Sequence, residues 1–355
     1  MDKATKTRTG EELDDVKLNS YLKEKTPFSQ YYDNLEILQF PSGFSNLTYL
    51  VRFGDREFVL RKPPFGANIK GGHDMHREYR ILSALQASYS KVPKAIVYCD
   101  DPSVIGSPFY VMERVKGLIL RANTPLSQFS PDQFENASVA LIDTLAELHQ
   151  LDYKTAGLGD LGNPTGYTQR QVNGWIKRYE NAKTDEIKEI DDTTAWLNAN
   201  VVNNTAAALI HNDYKYDNVI FNTNISQILA ILDWEMATIG DPLTDLGTTL
   251  AYWADSDDPE ALRTFNLTHT PNNLTRKQVA ERYAQQTGAN LPHLTFYYVY
   301  GLFKICVILQ QIYARYRKGF TKDTRFASLI QLEKTMARMC IRAIDLDRID
   351  RLGLN

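Results

Sequence analysis

Residues 209–222 read LIHNDYKYDNVIFN, a run of polar chemistry held inside an apolar frame. Leu209 and Ile210 lead in, Val219, Ile220 and Phe221 lead out, and His211, Asp213, Lys215, Asp217 and Asn218 lie between them. Polar groups set between apolar strands must be satisfied or put to use. The segment is therefore either an Asn- and Asp-rich turn or a catalytic loop. A second block, AILDWEMATIGDPLTDL at residues 230–246, argues for the loop. Asp233 closes its apolar run and lies twenty residues after Asp213. A carboxylate at a strand end is held rigidly and can project into a cleft, where a hard cation takes oxygen ligands. Asp213, Asn218 and Asp233 are thus expected to converge on one cavity.

A chain of 355 residues exceeds most single cores and predicts two lobes. The net charge of −3 gives no general basic field, so no nucleic-acid partner is expected. Cys99, Cys306 and Cys340 are far apart and odd in number. They form neither a metal spacing nor a disulfide framework, which suits a reducing, cytoplasmic setting. The first twenty residues are charged and lack a signal peptide's apolar core. The apolar stretch 296–314 carries Lys304, Gln310 and Gln311, so it reads as a buried helix and no membrane partner is expected.

Strand-like patterns run from Leu35 to Arg61, with Gly54-Asp55-Arg56 as a hairpin turn, and recur in AIVYCD and PFYVMERV. HDMHREYRILSAL (73–85) is helical, with Met75, Tyr79 and Leu82 on one face. After Gly117 helical patterns dominate: one opened by Ser130-Pro131-Asp132-Gln133, then 169–205, 276–288, 294–318 and 322–348. The expected organisation is a charged, loosely docked helical extension (1–29), a β-rich lobe (30–116) and a helical lobe (117–355), an α+β chain.

The five-residue step from Asp213 to Asn218 matches the H-R-D-x-x-x-x-N loop of protein kinases. More closely, HNDYKYDNVIF resembles the H-G-D-x-x-x-x-N loop of the aminoglycoside phosphotransferase-like branch of the protein-kinase-like fold. ILDWEMATIGDPLTDL resembles that family's D-x-E/D…G-D-P-x-x-D-L block. FPSGFSNLTYLV, FVLRKPP, HDMHREYRIL and FKICVILQQIYARYRKG resemble a subgroup found as kinase-like N-terminal domains of acyl-CoA dehydrogenase fusions and as stand-alone bacterial proteins. The resemblance spans about residues 30–345 and departs at Asn212, where Gly is usual. It implies a two-lobe protein-kinase-like fold, with a small antiparallel sheet and one main helix in the N-lobe and a mostly helical C-lobe. It also implies ATP and Mg²⁺ as cofactors and a small-molecule hydroxyl as acceptor. Asp213 would be the base or hydroxyl-positioning group, His211 would hold the loop, and Asn218 and Asp233 would bind metal. Glu235 is either a further group beside the metal or a surface charge. Asp245 would accept backbone N–H groups of the loop.

On the nucleotide side, PSGFSNLT (41–48) occupies the turn where such a fold covers phosphate, and Ser42, Ser45 and Asn46 offer donors. Strand alternation puts Val59 and Arg61 on one face and Leu60 and Lys62 on the other. With Val59 towards adenine, Arg61 is the expected phosphate cation and Lys62 the alternative, with Glu78 on the helix as partner. Backbone groups from Glu113 to Val115 would receive the adenine edge. The basic, aromatic run Tyr313, Arg315, Tyr316, Arg317 and Lys318 either faces an anionic acceptor or caps a helix before Gly319. The subgroup's link to acyl-CoA dehydrogenases suggests a hydroxyacyl-CoA or related hydroxy compound. The alternatives are an aminoglycoside or sugar kinase, a protein kinase, or a catalytically silent nucleotide-binding module. A protein kinase is disfavoured because Asp233 and Asp241 leave little room for an activation loop. No sequence signal bears on oligomeric state.

Overall fold

Hairpin chemistry builds the smaller lobe. Phe53 pairs with Arg56, so Gly54 and Asp55 alone connect β2 (Leu47–Phe53) to β3 (Arg56–Lys62), and Gly54 takes a φ of 56° that glycine tolerates. With β1 (Leu35–Gln39), β4 (Ala95–Cys99) and β5 (Phe109–Glu113) they form an antiparallel sheet of order β1-β2-β3-β5-β4. The computed structural model describes residues 3–30, 34–41, 46–64, 74–265, 267–320 and 323–353, so Ser42 and Ser45 lie outside the described residues.

The sheet buries both faces. Tyr49, Val51, Leu60 and Val111 join one apolar cluster with Leu18 and Leu22 of α1 (Asp15–Lys25). Val59, Tyr110 and Met112 join another with Met75, Ile81, Leu82 and Leu85 of α2 (Met75–Leu85), a helix capped by Asp74. The expectation of a loosely docked N-terminal extension is corrected here. Leu18 and Leu22 are fully buried, and burying two leucines favours the docked helix by roughly 3–6 kcal/mol. A short helix, α3 (Pro102–Ile105), links β4 to β5.

The larger lobe holds α4 (Pro131–His149), α5 (Tyr167–Ala182), α6 (Lys188–Ala199), α7 (Pro242–Tyr252), α8 (Arg276–Thr287), α9 (Leu294–Arg317) and α10 (Leu329–Leu346). The helical span read at 169–205 is two helices, because the chain leaves helical geometry at Lys183 (ψ 127°) and resumes it at Lys188, and the span read from 322 becomes α-helical only at Leu329. By length and composition α9 could cross a membrane, yet it runs through the lobe's interior, buried without a break from Thr295 to Val307. Two glycines let α9 cross α7 closely. A Cβ on Gly247 would stand 2.1 Å from the Tyr297 carbonyl oxygen, and one on Gly301 2.3 Å from that of Gly247. Two small strand pairs complete the frame: β6 (Ala208–Ile210) with β9 (Thr238–Gly240), and β7 (Val219–Phe221) with β8 (Ile228–Ile231). The segments leaving β6 and β8 carry the two polar blocks.

Candidate active site

The loop after β6 is fixed from below. Asp245, in the first turn of α7 and fully buried, accepts the backbone N–H of His211 at 2.6 Å and of Asn212 at 2.8 Å. His149 Nε2 lies 3.1 Å from the same carboxylate. Burial alone would raise the Asp245 pKa; the histidine and the loop amide outweigh it and hold the group below the usual range. His211 donates from Nε2 to the Leu232 carbonyl at 2.8 Å and accepts the Asp213 N–H on Nδ1 at 3.2 Å. Burial lowers its pKa, so the ring is neutral and ties the two polar blocks together. Asn212 has a φ of 67°, which explains why glycine suits this position and why asparagine, tolerant of the left-handed region, can replace it.

Asp213 projects beyond this anchor into the cleft. Its carboxylate takes a hydrogen bond from Asn218 Nδ2 at 2.7 Å and an ion pair from Lys215. Asn218 Nδ2 also donates to the Asp213 carbonyl at 2.7 Å, which closes the five-residue turn. The Lys215 ammonium lies 4.9 Å from the centre of the Tyr252 ring. Burial would lower the lysine pKa; the Asp213 charge overrides it, so Lys215 stays charged.

The N-lobe supplies a charge network from above. Arg61 reaches Glu78 and Asp233, each at 3.0 Å, and is 8% exposed. The Tyr110 hydroxyl donates to Glu78 at 2.7 Å. Asn46 Nδ2 bridges Glu78 at 3.2 Å and Glu235 at 2.9 Å, joining the β1–β2 turn to the C-lobe. Carboxylate oxygens of Glu78, Asp233 and Glu235 lie within 4.8 Å of one another. Burial and then Asp233 push Glu235 up to about 8, whereas Arg61 offsets burial and keeps Asp233 below its usual value. Arg61 pairs with two of these three carboxylates, Glu78 and Asp233, and oxygen donors gathered this closely suit a divalent cation. Asn218 and Asp233 would hold it at the cleft, with Glu235 beside them rather than on the open surface.

Arg61, Asp213, Lys215, Asn218 and Asp233 line one cavity of about 360 Å³ between the lobes, together with Asn46, Val59, Glu113, Val115, Arg121 and Asp217, whereas Glu78, Glu235 and His211 stand behind its lining. Lys62, the alternative phosphate cation, is corrected: alternation turns it to the opposite face, where Nζ donates to the Ile105 carbonyl at 3.1 Å. The basic run at the end of α9 lies outside the cavity lining. Arg315, Arg317 and Lys318 are exposed there, and Arg317 donates to the Tyr313 hydroxyl at 2.9 Å. The sequence alone assigns no role to Lys215, although it stands two residues after Asp213, and the structure sets its ammonium against the Asp213 carboxylate.

The sequence profile of the phosphotransferase enzyme family matches residues 36–277, from β1 to the start of α8. The chain belongs to this phosphotransferase family. The phosphotransferase fold is equally evident in three dimensions. A Ralstonia eutropha protein provisionally assigned as an aminoglycoside phosphotransferase superposes with a TM-score of 0.79 at 29% identity, over 93% of this chain and 97% of that one. Choline kinase from Cryptosporidium parvum shares the fold, with a TM-score of 0.62 at 14% identity over 92% of this chain and 96% of that one. In sequence, the chain is 34% identical over 333 residues to human acyl-CoA dehydrogenase family member 11, covering 90% of this chain and 42% of that protein. It therefore spans less than half the length of that relative.

Proposed function

We propose that the protein transfers the terminal phosphoryl group of ATP to a hydroxyl group of a small molecule, a hydroxyacyl-CoA or a related hydroxy compound. The observation that carries this reading is the meeting of Asp213, Asn218 and Asp233 with Arg61 in one interlobe cavity. Such transfer needs positioning and charge neutralisation more than covalent catalysis. Arg61 would hold nucleotide phosphates, and backbone groups from Glu113 to Val115 would meet the adenine edge. Mg²⁺ between Asn218 and Asp233 would supply neutralisation of the phosphate charge. Asp213 would orient the acceptor hydroxyl and take its proton as the oxygen bonds to phosphorus and the bond to ADP breaks. Lys215 holds the Asp213 carboxylate in place.

Two observations support the acceptor class. The cavity wall carries five basic side chains, Arg61, Arg114, Lys116, Arg121 and Lys215, against four acidic ones, Glu113, Asp213, Asp217 and Asp233, so it lacks the acidic excess a polycationic aminoglycoside needs. The human relative is named as an acyl-CoA dehydrogenase family member. Three free, buried cysteines suit a reducing cytoplasmic setting.

The test is incubation with MgATP and a panel of hydroxyacyl-CoAs, aminoglycosides and sugars, following ADP release and acceptor mass. ADP matched by a phosphorylated hydroxyacyl-CoA is expected. Transfer to aminoglycosides or sugars alone would overturn the acceptor class. No transfer, with no thermal stabilisation by MgATP, would overturn the reading itself.

A further inference from the structure

Helix α9 carries a cation through the middle of the C-lobe core. Lys304 is 1% exposed, and among the described residues no carboxylate oxygen lies within 4.0 Å of its ammonium. The ammonium donates to the backbone carbonyl of Asn212 and lies 5.7 Å from the centre of the Trp175 ring. A buried charge without an ion-pair partner is costly to keep, so the contact it makes must matter to the fold or to the chemistry.

That contact is on the residue immediately before Asp213. Each polar group of Asn212 is held: its N–H by Asp245 at 2.8 Å, its side-chain amide by the Met236 carbonyl and the Tyr167 hydroxyl, each at 3.1 Å, and its carbonyl by Lys304. The peptide unit from Asn212 to Asp213 is therefore gripped at both ends, by Lys304 at the oxygen and by His211 Nδ1 at the nitrogen. Rotation of this unit would swing the Asp213 side chain. Asn212 is a non-glycine residue in the left-handed region, where the backbone needs such support.

We propose that Lys304 is a positioning residue of the phosphotransfer site: from α9 it clamps the Asn212–Asp213 peptide unit and so sets the direction in which the Asp213 carboxylate enters the cleft. The proposal rests on the role given to Asp213 above. Lys304 does not line the cavity, so it acts through Asp213 and not by touching nucleotide.

Lys304→Met removes the donor at similar length, and Lys304→Gln keeps an N–H donor without the charge. Lys304→Met should lower kcat by roughly 30- to 100-fold, the cost of a misplaced catalytic group, with KM for MgATP within about twofold. Lys304→Gln should recover a large part of the lost kcat. Unchanged kcat in Lys304→Met, or an equal loss of kcat and MgATP affinity with no recovery in Lys304→Gln, would overturn the proposal. Amide hydrogen exchange on the full-length protein tests the clamp without any acceptor. Exchange at Asn212 and Asp213 should speed by about tenfold or more in Lys304→Met, or in Lys304→Gln if the first variant does not fold. Unchanged exchange overturns the clamp even if transfer is observed, whereas faster exchange in a protein that transfers no phosphate overturns the function and leaves the clamp standing.

Discussion

Asp245→Asn is the sharpest test of how the loop is held. The carboxylate accepts two backbone N–H groups, at 2.6 and 2.8 Å, and faces His149 Nε2 at 3.1 Å, with no exposure to solvent. An amide keeps one acceptor oxygen and turns an NH₂ group towards a donor. One charge-assisted bond worth about 1.5–3 kcal/mol is lost, and one buried N–H is left unpaired at about 1–3 kcal/mol. The sum is roughly 3–6 kcal/mol, in line with the penalty for breaking a buried ionic contact. If the C-lobe unfolds as a unit, at about 2–4 °C per kcal/mol, Tm should fall by roughly 6–24 °C. The pH dependence follows from the depressed Asp245 pKa. Its contribution is present above the unfolded carboxylate value of about 3.9 and is lost as pH falls through the lower folded value. Calorimetry of both proteins from pH 8 to pH 3 should therefore show a gap that is full at neutral pH and narrows only in acid. A Tm loss under about 3 °C at pH 7, or a gap already narrowing at pH 6, would refute the reasoning.

Other outcomes are equally specific. Asp213→Ala and Asp233→Ala should each keep the fold, by circular dichroism, and abolish phosphoryl transfer; full activity in either would remove that residue from the chemistry. Arg61→Met strands Glu78, which is 1% exposed, so denaturant melts should show a loss of about 3–5 kcal/mol, along with weakened MgATP binding. Glu333 on α10 is fully buried, neither of its carboxylate oxygens has a hydrogen-bond partner among the described residues, and burial raises its pKa to about 8. The unfolded chain ionises this group near pH 4.3 and the folded one near 8, so it subtracts stability progressively across that window. Glu333→Gln should remove the decline and raise Tm at pH 8, and an unchanged pH profile would contradict the assignment.

Legibility from sequence followed the range of the interaction. Strand alternation separates Arg61 from Lys62 within one segment, and the structure puts the first in the cleft and the second against Ile105. The two polar blocks were legible because each sits in its own apolar frame and the strand pairs β6–β9 and β7–β8 bring them together. The docking of α1 was not, since only Leu18 and Leu22 mark its buried face in a charged helix. Asn46 reads as a phosphate-loop donor, yet it also bridges to Glu235, 189 positions away. In sequence Lys304 reads only as a polar interruption of an apolar helix, and its partner Asn212 lies 92 positions earlier. The Lys304 contact comes from the helix that crosses α7 closely at Gly247 and Gly301, an approach no local pattern encodes.

The central claim is that one interlobe cavity holds a divalent-metal nucleotide on Asn218 and Asp233 and aims an acceptor with Asp213. Mn²⁺·ATP binding, followed by electron paramagnetic resonance in wild type, Asp233→Ala and Asp213→Asn, tests it most directly when paired with single-turnover phosphoryl transfer. Asp233→Ala should lose metal–nucleotide binding, while Asp213→Asn should bind as wild type does and transfer nothing. Wild-type Mn²⁺·ATP binding in Asp233→Ala, or wild-type transfer in Asp213→Asn, would contradict the account.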